Sequence, residues 1–273
     1  MPVRNGEKTI RQALESLLTQ TWADFVLVIS DNASTDNTGQ ICQEYAVGDP
    51  RIRYVRQPHN IGAEANFHYV FHSATSEYFM WAADDDVRSP DFLERNLSFL
   101  QENKDYVAST CPTRFHGRDF DTRAMGDASL ADEDRYLRLL NSFGAWHANG
   151  RFYSLLRREI VAKWIVLKHS FLGSDWTLIT HLAMHGKFNR LEDGWVELGA
   201  HGISNTTNTF ASYRRGWVDW ILPFRGLSAD TLRIMHNASI MQRARVLARL
   251  AHLNLQGFVC QLKLSMTQRA KPD

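Results

Sequence analysis

The chain has 273 residues, 44% hydrophobic and 22% charged, with 31 Lys and Arg against 30 Asp and Glu. That balance is ordinary for a globular protein and gives no footing to nucleic-acid binding; no apolar run is long enough to span a bilayer, and no secretory signal peptide is visible. Cys42, Cys111 and Cys260 are scattered, odd in number and without a CxxC pair, which argues for a reducing, cytoplasmic setting and against a thiolate metal site.

Met1-Pro2-Val3 runs straight into Arg4-Asn5-Gly6, a turn signal, so the expectation is a truncated start or a first strand reduced to a stub. Residues 7–19 place Ile10, Ala13, Leu14, Leu17 and Leu18 at helical spacing. Residues 25–30 read as a buried strand that ends in the polar turn Asp31-Asn32-Ala33-Ser34-Thr35-Asp36. Then come a helix over 38–46, a strand over 51–56, the turn His59-Asn60-Ile61-Gly62 and a helix over 63–73. Residues 78–83 are apolar enough for a buried parallel strand, and 90–101 form the next helix. This alternation predicts an α/β fold with a mainly parallel sheet flanked by helices. Farther on, 106–111 reads as a strand, 117–134 as a polar loop, 135–140 as the start of a helix, and 151–156 as a strand followed by a helix over 157–166. Residues 174–185 form a helix with Ser174 as its cap, and 187–198 are strand-like. From Thr231 the chain is helical, with Leu, Met and Val interleaved with Arg.

Asp84, Asp85 and Asp86 close the apolar stretch. Buried unpaired charge is too costly for a core, and ligands in open α/β sheets bind beyond the carboxyl ends of strands. Crowded carboxylates call for a cation, and oxygen-only donors suit Mg²⁺ or Mn²⁺, whose remaining ligands usually come from substrate phosphates. The competing reading is an acidic helix N-terminus ahead of Ser89-Pro90-Asp91.

Four blocks in this order, Met1 to Glu7, Ser30 to Asp36, Asn60-Ile61-Gly62 and the aspartates, resemble glycosyltransferase family 2, nucleotide-sugar-dependent enzymes of the GT-A fold. Tyr153 to Arg158, Ser174-Asp175-Trp176, and Glu197 to His201 with Ser204 resemble later blocks of bacterial members, so the resemblance covers 1–204. It implies a GT-A domain over 1–205, with a donor half to about 110 and an acceptor half after it, and a helical C-terminal extension over 206–273. Two departures stand out: the strand before Pro2 is nearly absent, and Ala83 replaces the first Asp of the common acidic motif, a DXD variant closer to Thr-Asp-Asp.

By this resemblance, Asp85 holds Mg²⁺ or Mn²⁺ against the donor diphosphate, Asp84 faces the ribose, and Asp86 is either a further ligand or a helix cap. Asp31 accepts a hydrogen bond from the donor base, with Asn60 and Gly62 near the same nucleotide. Asp175 is the base of an inverting direct displacement. His201 is a third metal ligand or a diphosphate contact. Trp146 is the candidate for stacking on an acceptor sugar, ahead of Trp176 and Trp195. Arg157 and Arg158 contact acceptor or phosphate, or make helix-start ion pairs. The pairs His181/His185 and His68/His72 lack the general-base Glu of a zinc helix and read as structural.

The implied function is transfer from a UDP-sugar to a glycan or lipid-linked acceptor, in polysaccharide biosynthesis. The alternatives are a sugar nucleotidyltransferase, disfavoured because Met1 to Ile10 holds only Gly6 where a Gly-rich phosphate loop belongs, and a non-catalytic nucleotide-sugar-binding module. The segment 231–269 has almost no acidic residues, which leaves two readings: a peripheral contact with the inner membrane face, or a packing or homodimer surface.

Overall fold

A computed structural model describes residues 1–115, 127–143, 149–164, 171–199 and 209–269. Trp146, His201 and most of the 117–134 loop lie outside them.

The first sheet is parallel: β1 (Pro2–Val3), β2 (Leu27–Asp31) and β3 (Ile52–Arg56), in that order, with Pro2 opposite Ser30 and Leu27 opposite Ile52. β2 is buried along its whole length, which explains its Leu-Val-Ile run. The crossovers are α1 (Ile10–Leu18) and α2 (Thr38–Gly48), and α3 (Ala63–Ser73) leads on to the second sheet. α1 buries Ile10, Ala13, Leu14 and Leu17 against this sheet, at the predicted spacing.

The second sheet has the order β4-β8-β6-β9, from β4 (Tyr78–Phe79), β8 (Leu155–Arg157), β6 (Tyr106–Thr110) and β9 (Lys187–Arg190). Here the structure corrects the sequence reading. The strand before the aspartates is two residues long and runs antiparallel to β8, Tyr78 opposite Arg157. Residues 80–83 are apolar for another reason: Trp81 and Ala82 are buried outside the ladder, and Trp81 stacks on Phe152 at 4.9 Å and meets Phe79 edge-on at 4.7 Å.

A third, small sheet has the order β5-β10-β7, from β5 (Val87–Arg88), β10 (Val196–Leu198) and β7 (Thr113–Phe115). It starts immediately after the aspartates and pairs Val87 with Glu197. The described end of the 117–134 segment is anchored rather than a free cover. Leu130 exchanges backbone hydrogen bonds with Phe188 at 2.8 and 3.0 Å, and Asp127 accepts from the Thr113 N–H at 2.9 Å.

Helices α4 (Phe92–Glu102), α5 (Arg135–Ser142), α6 (Arg158–Trp164) and α7 (Ser174–His185) flank these sheets. The C-terminal part is α8 (Thr209–Tyr213), α9 (Val218–Ile221), α10 (Arg225–Ile234) and the long α11 (Ile240–Arg269). Phe224, Leu227, Met235, Val246, Leu250 and Leu253 from this part form one apolar cluster with Tyr136, Leu139 and Phe143, against Trp176 and Met184 of α7. Cys42 and Cys111 are buried, which pushes their thiols up to about 12 and about 11, while Cys260 lies half-buried on α11.

Candidate active site

The loops that follow β1, β2 and β3 interlock at the carboxyl end of the first sheet. Asn5, in the left-handed region at φ 55°, accepts from the Thr35 N–H at 2.9 Å and donates its own N–H to Ser34 Oγ at 2.9 Å. The Gly6 N–H donates to Thr38 Oγ1 at 2.8 Å. Ala33 also sits at positive φ, 53°, where a side chain costs roughly 1–2 kcal/mol; the interlocked turn holds it there.

Asp31 is fully buried. Its Oδ1 accepts from the Ser34 N–H at 2.8 Å, and its Oδ2 accepts from Tyr54 at 2.9 Å and Arg56 at 3.0 Å. The carboxylate expected at a donor base therefore offers no free edge and serves to fix the turn. Asn32 does the corresponding work for the next loop. Its Nδ2 donates to Asn60 Oδ1 at 2.9 Å and to the Gly62 carbonyl at 3.2 Å, and its Oδ1 accepts from the Ile61 N–H at 2.8 Å. Gly62, at φ 87°, opens α3 in a conformation that favours glycine. Asp31, Asn60 and Gly62 thus lie in one connected set of loops.

The three aspartates face different surroundings. Asp84 reaches back to the first loop: a Cβ on Gly6 would lie 2.1 Å from its Oδ2. Asp85 packs on the end of β10, where a Cβ on Gly199 would fall 2.1 Å from Oδ2 and 2.2 Å from the carboxyl carbon. Asp86 is buried, accepts from the Gly199 N–H at 3.1 Å and pairs with buried Arg88 at 3.8 Å. Of the two roles expected of Asp86, capping α4 is not the one seen: Asp91 precedes that helix, and Asp86 instead joins the motif to β10.

Burial, and then the neighbouring Asp85 charge, raises Asp84 to about 7. Burial raises Asp86 to about 6, with Asp85 adding to it and Arg88 opposing it. These carboxylates are short of positive charge, and their donor set is all oxygen, so a hard divalent cation fits them. Among the described residues no three His, Cys, Asp or Glu side chains converge as a closed metal cage. One or two carboxylates with substrate phosphates completing the sphere is the arrangement Mg²⁺ usually takes.

Asp175 stands in the first turn of α7, half-buried. The residue before the helix is Gly173 at φ 81°, so glycine conformation rather than the Ser174 hydroxyl starts it. Tyr153 ties this helix start to the aspartates electrostatically. Its phenol is held well above the ordinary range, first by burial, then by Asp86, Asp85 and Asp175, with Arg88 opposing. The two acidic elements therefore act on one side chain. The sequence names Tyr153 only as the start of a block of the resemblance, without a role, and the signal for Arg88 is its place two residues after the triplet.

Other expected contacts are committed elsewhere. Arg157 donates to the Tyr106 carbonyl at 2.9 Å and the Tyr78 hydroxyl at 3.2 Å, and also to the Leu100 carbonyl. It closes the end of α4 and is not directed to an acceptor. Arg158 lies over the Phe71 ring at 4.9 Å. Trp176 stacks on Phe224 at 5.3 Å, inside the core. Trp195 carries Arg114 over its ring at 5.2 Å. His181 donates to the Ile160 carbonyl at 3.0 Å, which makes it a structural histidine.

The family profile described as Glycosyl transferase family 2 matches residues 1–165. The chain belongs to glycosyltransferase family 2. EpsE of Bacillus subtilis is 31% identical over 107 residues, 39% of this chain and 38% of that protein. Glycosyltransferase GlyA of Streptococcus pneumoniae is 33% identical over 94 residues, 34% of this chain and 13% of that one. The matched stretch therefore spans well under half of either relative.

Solved structures match over more of the chain. TarS of S. aureus in complex with UDP-GlcNAc superposes with a TM-score of 0.66 at 18% identity, covering 89% of this chain and 67% of that one. The mannosyltransferase PcManGT of Pyrobaculum calidifontis, in complex with GDP-Man and Mn²⁺, gives 0.63 at 17% identity, covering 100% and 74%. The fold of this family 2 member is GT-A.

Proposed function

We propose that this family 2 glycosyltransferase moves a sugar from a nucleoside diphosphate donor, a UDP-sugar in the first instance, to a hydroxyl of a glycan or lipid-linked acceptor, with inversion. The observation that carries the reading is the cluster of Asp84, Asp85 and Asp86 between the first loop at Gly6 and the end of β10 at Gly199, in a chain of family 2.

The chain's own residues divide the work. The loops around Asn5, Asn32, Asn60 and Gly62 hold the nucleoside, with Asp31 fixing their shape from below and Asp84 at the ribose. Asp85 would hold Mg²⁺ or Mn²⁺, with Asp86 behind it. When bound, the cation supplies Lewis-acid neutralisation of the diphosphate. Asp175 takes the proton of the acceptor hydroxyl. The acceptor oxygen forms its bond to C1 of the sugar from the face opposite the diphosphate. The C1–O bond breaks, and its electron pair leaves on the nucleoside diphosphate. One displacement inverts the anomeric centre and needs no enzyme nucleophile. His201 and Trp146 remain candidates for the metal and the acceptor sugar, respectively.

Asp175→Asn tests the assignment. The variant is expected to keep its thermal shift with UDP and Mn²⁺ while sugar transfer falls about 10²–10⁴-fold. Near-normal transfer by the variant would leave Asp175 as a helix-start residue only. A panel of nucleotide sugars in the same thermal-shift format identifies the donor, since a ligand at about 100 times its dissociation constant adds about 2.7 kcal/mol.

A further inference from the structure

α11 is apolar on two opposite faces, and only one of them is used by the fold. At about 100° per residue, Val246, Leu250 and Leu253 lie on the side that packs on α5 and α10, and all three are buried. Met241, Ala244, Ala248, Leu255, Val259 and Met266 fall within about 40° of Leu255 on the other side, and all are exposed. Met241 is 66% exposed, Leu255 59% and Met266 67%, along a stripe that runs nearly the length of the helix. Arg245, His252 and Lys263 border the stripe on one flank, about 60–80° from Leu255. On the neighbouring α9, which Gln261 holds through the Asp219 and Trp220 carbonyls, Ile221 is also exposed, and Trp217 just before it is 76% exposed.

We propose that this face of α11 rests on an anionic lipid surface. The charge pattern selects that partner. Between Ile240 and Arg269 there are four Arg and one Lys and no Asp or Glu. Two copies of the helix meeting face to face would bring like charges together, whereas acidic headgroups attract them. An exposed Trp at the start of the helix held against α11 is the residue type enriched at membrane interfaces. The contact is peripheral: among the described residues no helix is long and apolar enough to cross a membrane. This inference stands on the helix alone and does not depend on the reaction proposed above.

The test is sedimentation of the full chain with vesicles made of equal parts phosphatidylcholine and phosphatidylglycerol, at low salt. The expected result is that the chain pellets with these vesicles, much less with phosphatidylcholine alone, and is released as salt is raised. Arg245→Gln with Lys263→Gln should lower the partition coefficient about thirtyfold, from roughly fivefold per cation. Leu255→Glu with Val259→Glu, both at exposed positions, should abolish binding without disturbing the melting temperature. The proposal is overturned if the parent stays in the supernatant at low salt, or if the double Glu variant pellets like the parent. It is equally overturned if sedimentation equilibrium finds a dimer that the double Glu variant dissociates, because the face then belongs to a second copy.

Discussion

Gly199 decides where Asp85 can stand. The end of β10 and the aspartate motif approach so closely that any Cβ at position 199 would overlap the Asp85 carboxyl group. The contact is with side-chain atoms of the carboxylate proposed to hold the cation, so that group must swing away when the space is filled. Gly199→Ala is therefore expected to fold, because Gly199 has an ordinary negative or extended backbone angle, yet to lose the Mn²⁺-induced thermal shift as Asp85→Ala does. An unchanged Mn²⁺ response in the alanine variant would detach Asp85 from the metal. At this scale the sequence was legible wherever charge forced the reading: three carboxylates after an apolar run had to be a site or a helix end. It gave no role to Arg88, nor to Gly199 and Tyr153 within the blocks that carry the resemblance, because their importance comes from what folds against them. It pointed to Asp31 but did not disclose its partners: Tyr54 and Arg56 arrive from the neighbouring strand and occupy the carboxylate.

α7 shows what an element reveals and what it hides. Its bounds, Ser174–His185, follow from the apolar spacing. Its cap does not, since the turn that starts it is set by Gly173. Nor did the spacing of His181 and His185 disclose that His181 is buried on the Ile160 carbonyl and pulled down to about 4, first by burial and then by His185. The folded state thus holds this imidazole neutral, while the unfolded chain protonates it near pH 6.5. Stability from this group is complete above about pH 6.5 and is lost as pH falls toward about 4, a difference on the order of 3 kcal/mol. In urea titrations, the stability advantage of the parent over His181→Gln should shrink steadily between about pH 7 and about pH 4.5. A constant advantage across that window would mean the imidazole is not held neutral. The strand before the aspartates was overread for a related reason. Aromatic side chains packed in a core and side chains in a buried ladder give the same apolar run, and only pairing partners distinguish them.

The whole molecule was legible as an α/β chain with a parallel donor half, because strand and helix alternate with short connections there. Its sheet order was not, since β8 inserts between β4 and β6 and β10 between β5 and β7, pairings between segments far apart in the chain. One consequence of that assembly is global: it buries Asp84 and Asp86 beside Asp85, which raises them to about 7 and about 6. Both are raised above their unfolded values, so without metal the folded state loses stability as pH rises from about 4 through about 7. Protons taken up by Asp84 and Asp86 remove negative charge from around Asp85, and Mn²⁺ should therefore raise the melting temperature more at about pH 7.5 than at about pH 5.5. An equal shift at both pH values would place the cation elsewhere. The thiols carry a last consequence. With Cys42 and Cys111 sealed in the interior and held as thiols, and Cys260 half-exposed on α11 beside Val259, a maleimide should modify one site on the native chain and three after unfolding. The molecule thus comes with its own attachment point for a fluorophore or spin label, on the side of α11 that packs against the C-terminal apolar cluster, where such a reporter would sense any loosening of that packing.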